Sequence, residues 1–130
     1  MYSELTDSIK ITVSSYFLEE RSEPSEDSYF WAYQVRIENE GVENVRLRHR
    51  SWSITDAAGG LQEVHGAGVI GQQPVIAPGE SFEYTSGTPL RTPSGIMFGS
   101  YGMEAESGRE FVVTVPAFSL DSPHERRPVN

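Results

Sequence analysis

The chain has 130 residues, with nine Arg and one Lys against 19 Asp and Glu, a net charge of −9 and no Cys. That length suits one domain, able to bury roughly two-thirds of the surface its unfolded chain exposes. The missing Cys excludes a disulfide scaffold, a thiolate metal site and a cysteine nucleophile, and the acidity disfavours nucleic acid as a partner.

Residues 1–10, MYSELTDSIK, carry neither the basic nor the apolar region of a signal peptide. No stretch approaches the roughly 20 apolar residues that span a bilayer. The expectation is a cytoplasmic protein with no membrane partner. Residues 1–8 are polar and read as a loose N-terminus. IKITVSSYF follows, where Ile9, Ile11 and Val13 alternate with polar neighbours as in a half-buried strand. Residues 18–28 are acidic and contain Pro24, which predicts an exposed loop.

YFWAYQVRIEN is the clearest strand. Tyr29, Trp31, Tyr33, Val35 and Ile37 occupy every second position, a spacing that a helix would scatter around its circumference. After the turn EGVEN comes VRLRHRSWSITD, in which Val45 and Leu47 are out of phase with Trp52 and Ile54. A bulge near Arg50–Ser51 would bring all four to one core. AAGG closes this strand and LQEVH makes a short one. PVIAPGESFEYTSG holds a turn at residues 77–80 and then alternates Phe82 with Tyr84. IMFGSYGMEAE is a strand in which Gly99 and Gly102 mark bulges or close backbone approach. GREFVVTVPAF alternates Phe111, Val113 and Val115, and Pro116 predicts an edge or a strand end. Residues 121–130 read as a flexible tail. About seven short strands without an amphipathic helix predict an all-β antiparallel sandwich over residues 9–120.

HGAGVIG contains G-x-G-x-x-G at Gly66, Gly68 and Gly71. In a dinucleotide fold this pattern needs a helix after it, whose N-terminal amides hold the phosphates. Here Pro74 and Pro78 follow within seven residues of Gly71, and no acid stands about 20 residues on. A dinucleotide enzyme is therefore set aside. The glycines shape a loop, or their amides form a nest for a phosphate or pyrophosphate without a helix.

RLRHR puts Arg46, Arg48 and Arg50 on one strand face. This cluster grips phosphate or an acidic partner surface, or pairs across the sheet with Glu38, Glu40 or Glu43. His49, His65 and His124 make no H-x-H or H-x-x-x-H pair, so a metal site is not expected, with His65 and His49 the weak candidates. Ser51, Ser86 and Ser100 have no base partner legible in the sequence, and G-x-S-x-G is absent.

Residues 51–104 bring these pieces together. Trp52-x-Ile54-Thr55-Asp56, the glycine run Val64–Gly71, Gln73-Pro74 with Pro78-Gly79-Glu80, Phe82-x-Tyr84-Thr85-Ser86-Gly87 and the stretch Thr92–Tyr101 with Met97 resemble the ApaG family. The resemblance spans roughly residues 5–120, with Ser51 standing where members often have a bulkier residue. It implies a fibronectin type III-like or immunoglobulin-like sandwich, and an association with cobalt resistance and magnesium efflux, hence the alternative name CorD. In F-box proteins the same domain is taken to recognise partners. The functional expectation is a non-enzymatic protein–protein interaction module without a cofactor. Its contacts are the loop Gly66–Gln73 and the arginine face, and an unpaired edge strand offers a route to a homodimer. The alternative is phosphate, pyrophosphate or nucleotide binding at Gly66, Gly68 and Gly71.

Overall fold

A computed structural model describes residues 1–124, and in it the alternating segments become strands. These are β1 (Tyr2–Thr6), β2 (Ile9–Phe17), β3 (Tyr29–Asn39), β4 (Val45–Asp56), β5 (Leu61–Ala67), β6 (Val75–Ile76), β7 (Ser81–Leu90), β8 (Gly95–Ala105) and β9 (Glu110–Leu120). All pair antiparallel, in one sheet ordered β1-β2-β3-β7 and a second ordered β5-β4-β8-β9, with β6 extending the line of β5 along β4. The chain is thus an all-β two-sheet sandwich, with nine strands among the described residues where about seven were expected. No helix among them is long and apolar enough to cross a membrane.

The inward residues of the two sheets make one core. Ile9, Ile11 and Val13 of β2 and all five alternating residues of β3 are buried against Leu47, Trp52, Met97, Tyr101, Val113 and Phe118 of the second sheet. Trp52 sits edge-on to Tyr33, Tyr101 and Phe118, with ring centroids 5.5, 6.0 and 6.1 Å away. Burial of each such side chain is worth about 1.5–3 kcal/mol, and the edge contacts add to that.

Three expectations are corrected, and one is narrowed. The N-terminus is not loose: Tyr2–Thr6 pairs with Val13–Ile9, and Asp7 and Ser8 turn the chain with φ of 49° and 67°. Two positive φ values suit a two-residue hairpin, but Asp-Ser lacks the Gly that makes such a turn legible. The bulge in β4 falls between Leu47 and His49, not at Arg50–Ser51, because Arg48 is the extra residue opposite Met103 and Gly102. Of the two expectations for Pro116 the edge holds: β9 is the edge of its sheet, and the strand runs on past Pro116 to Leu120. Pro116 and Ala117 lie at a register shift opposite Phe98, where a missing amide costs no ladder bond. The start of the tail is fixed too. The Trp31 indole donates to the Asp121 carbonyl at 2.8 Å, and Ser122 donates to the Pro93 carbonyl at 2.6 Å. The rest of the expected tail, 125–130, lies outside the described residues.

Candidate functional site

The bulge decides where the arginines point. Arg46 stands opposite Glu104 on the outer face, and Arg48 reaches the same Glu104 carboxylate at 3.5 Å. One extra residue shifts the alternation, so Arg50 shares the inward side with Trp52 and Ile54. The three arginines therefore do not form one face. Arg50 instead joins the glycine loop, where its Nη1 donates to the carbonyls of Ala67 and Gly68 at 3.1 and 2.9 Å.

The loop closes on itself. The Gly68 amide donates to the Arg48 carbonyl at 2.8 Å, and Val69 and Gln72 exchange amide–carbonyl bonds of 2.8 Å each. Ile70 and Gly71 are the two central residues of that turn, with φ of 43° and 77°. Gly68 has φ of 62°, and a Cβ there would lie 2.0 Å from the Gln72 carbonyl oxygen. At Gly66 a Cβ would come within 2.9 Å of the Arg50 guanidinium. Each glycine of the motif thus has a reason in the backbone or in Arg50. The amides of Gly68, Val69 and Gln72 already serve carbonyls of the chain, so a phosphate would have to displace those bonds to use them. Gln73 is exposed, its stem lying over Gly68.

His65 and His49 are both exposed. Nδ1 of His65 is 3.1 Å from the Ser51 hydroxyl and its Nε2 is 3.8 Å from Glu63. The His49 ring lies over Gly102. No three His, Asp or Glu side chains among the described residues gather as a metal site. The Ser51–His65–Glu63 line was not legible in the sequence, because it forms only through the pairing of Ser51 with His65 across β4 and β5. It lies on the outer face of the β4–β5 pair, with His65 and Glu63 exposed.

Between the edges of β5 and β7 the two sheets leave a cleft of about 200 Å³. Arg50, Tyr33, Trp52, Gln62, Val64 and Ser86 are among the residues that line it. Burial raises the Tyr33 pKa above its ordinary value, while a hydrogen bond with Ser86 and the Arg50 charge oppose the rise. Deeper in, the Tyr84 and Tyr101 hydroxyls are hydrogen-bonded to each other across the sandwich. Burial pushes both well above the ordinary range, and the Arg50 charge lowers both slightly.

A family model described as the ApaG domain matches residues 19–105, and Protein ApaG of Rhodospirillum centenum is 63% identical over 126 residues, 97% of each chain. The chain belongs to the ApaG family. Protein ApaG of Paramagnetospirillum magneticum is 55% identical over the whole of both chains. The crystal structure of a Bordetella pertussis protein described as ApaA superposes with a TM-score of 0.87 at 45% identity, covering 90% of this chain and 95% of that one. In this ApaG chain four of the five stretches that carried the resemblance meet at the cleft: Trp52, Val64, Ser86 and Met97 all line it.

Proposed function

We propose that this ApaG-family chain is a non-catalytic module that holds a protein partner through the loop Gly66–Gln73. The observation that carries this reading is Ile70. Its side chain is 54% exposed at the loop tip, and its backbone is left-handed, with φ of 43°. A β-branched residue is strained there by roughly 1–2 kcal/mol, where Asn or Gly would sit with ease. An apolar side chain held outward against that strain suits a contact rather than packing. Val75, 51% exposed, and Arg46, its partner across β4 and β6, continue the same edge. The loop's inward-turned amides favour this surface over a phosphate nest. In this reading, the family association with cobalt resistance and magnesium efflux runs through the partner, not through bound metal.

Ile70→Asn separates contact from stability. The variant is expected to melt a few degrees higher, because the strain is relieved, and to lose partners that the unaltered protein captures from a native lysate. An unchanged set of captured proteins, quantified by mass spectrometry, would remove the loop tip from the interface.

A further inference from the structure

We infer that the cleft between β5 and β7 binds a single carboxylate carried on a short apolar stem, with Arg50 as its anchor. The charge arrangement comes first. The chain has 19 Asp and Glu, yet among the described residues none forms an ion pair with Arg50. Among the described residues, no Asp or Glu lines the cleft. Among the described residues only Nη1 of the guanidinium is engaged, by the Ala67 and Gly68 carbonyls. The Nε and Nη2 edge has no acceptor among the described residues. That edge is the one that grips a carboxylate with two parallel hydrogen bonds.

Arg50 is also held in advance. Two carbonyls fix its tip, and Gly66 leaves the space in which the guanidinium lies. Ordering a long side chain usually costs affinity, and here the fold has met that cost before a ligand arrives. The walls suit an apolar stem with a polar head: Trp52, Val64 and the Gln62 amide from the second sheet, and the Tyr33 and Ser86 hydroxyls from the first.

Size and charge choose the ligand class. A volume of about 200 Å³ is below the roughly 300 Å³ at which pockets for drug-sized molecules begin, so the cleft takes in a short stem and its head rather than a whole nucleotide. One guanidinium balances a monoanion, whereas a phosphate dianion would call for a second cation, and among the described residues lining the cleft Arg50 is the only one. The carboxylate comes either from a free small acid or from the C-terminal residue of a peptide, and the same subsite chemistry serves both.

The test is a heteronuclear NMR titration of the full chain with isovalerate, isovaleramide, and an acetylated Ala-Ala-Val peptide with either a free or an amidated C-terminus. The expected result is saturable movement of the Arg50 Nε–H signal and of the amides at 62–68 and 84–88, with the free acid, the free-ended peptide or both. A response to the small acid alone assigns a free metabolite, and a response to the free-ended peptide alone assigns a chain end. Arg50→Met should abolish the response, but that change also loosens the loop. Gln62→Glu, at an exposed position, therefore serves as the second variant and is expected to weaken binding at least ~10-fold, about 1.4 kcal/mol. No movement with either acid at ~10 mM, equal movement with the neutral amides, or full affinity in Gln62→Glu would each overturn the assignment.

Discussion

At the scale of single residues, Gly68 and Gly71 look alike in sequence and differ in surroundings. Both are left-handed, with φ of 62° and 77°, but only Gly68 faces backbone where a side chain would stand; Gly71 faces open space. Gly71→Ala should therefore cost only the left-handed penalty, about 1 kcal/mol. Gly68→Ala adds a collision with the Gln72 carbonyl and should cost more than about 2 kcal/mol. Urea titrations of the two variants check this, and equal midpoints would contradict the close approach. The third glycine differs again. Gly66 meets the side-chain end of Arg50 rather than backbone, so Gly66→Ala should push the guanidinium off its two carbonyls more than it destabilises the fold. The motif was legible in the sequence, and so was the want of a following helix. What each glycine does was not, because their neighbours Gln72 and Arg50 meet them only through the folded loop.

At the scale of elements, period-two alternation made β3 legible residue by residue, since all five of its spaced residues face the core. The strand β4 was legible only as a break in phase. Between Leu47 and Trp52 the sequence RHRS is polar throughout, so hydrophobicity gives no sign of which residue is extra. The answer, Arg48, decides that Arg50 turns inward, and with it the composition of the cleft. For β1 the difficulty was the opposite: its residues are mostly exposed on both faces, so no alternation marks it. Its role is to cover an edge. β1 pairs along Ile9–Val13 of β2, and Tyr2 reaches across to Ser119 and Phe118 of β9, with a 2.9 Å hydroxyl–hydroxyl bond and ring centroids 6.5 Å apart. Removal of residues 1–6 would leave the β2 amides and carbonyls unpaired beside a buried Phe118. The shortened chain is expected to self-associate through that edge. Light scattering across a concentration series would show a rising mass for the shortened chain only; a monomer at every concentration would mean that β1 protects nothing.

At the scale of the molecule, what joins the two sheets is not wholly apolar. Tyr84 comes from β7 of the first sheet and Tyr101 from β8 of the second, and their hydroxyls meet in the core, with Tyr33 nearby and Arg50 at the rim. All three phenols have pKa values raised by burial above the ordinary 10.0. Above about pH 10 the unfolded chain therefore releases protons that the folded chain keeps. The folded state then binds more protons than the unfolded one, so the slope of stability against pH is negative. Stability from this source is intact below pH 10 and is lost as pH climbs from there toward the folded values, at up to roughly 1.4 kcal/mol per pH unit for each tyrosine. Urea midpoints should stay level between about pH 7 and 9 and fall steeply beyond 10, with the tyrosinate absorbance of Tyr84 and Tyr101 rising only as the chain unfolds. Tyr84→Phe sharpens the test. At neutral pH it strands the buried Tyr101 hydroxyl and should cost about 1–3 kcal/mol, and the further change Tyr101→Phe should restore part of that loss, because the orphaned hydroxyl goes with it. The double variant should also show a shallower alkaline decline, since two of the three titrating groups are gone. If its decline is as steep as that of the unaltered chain, the hydroxyl bridge between the sheets is not what alkali breaks.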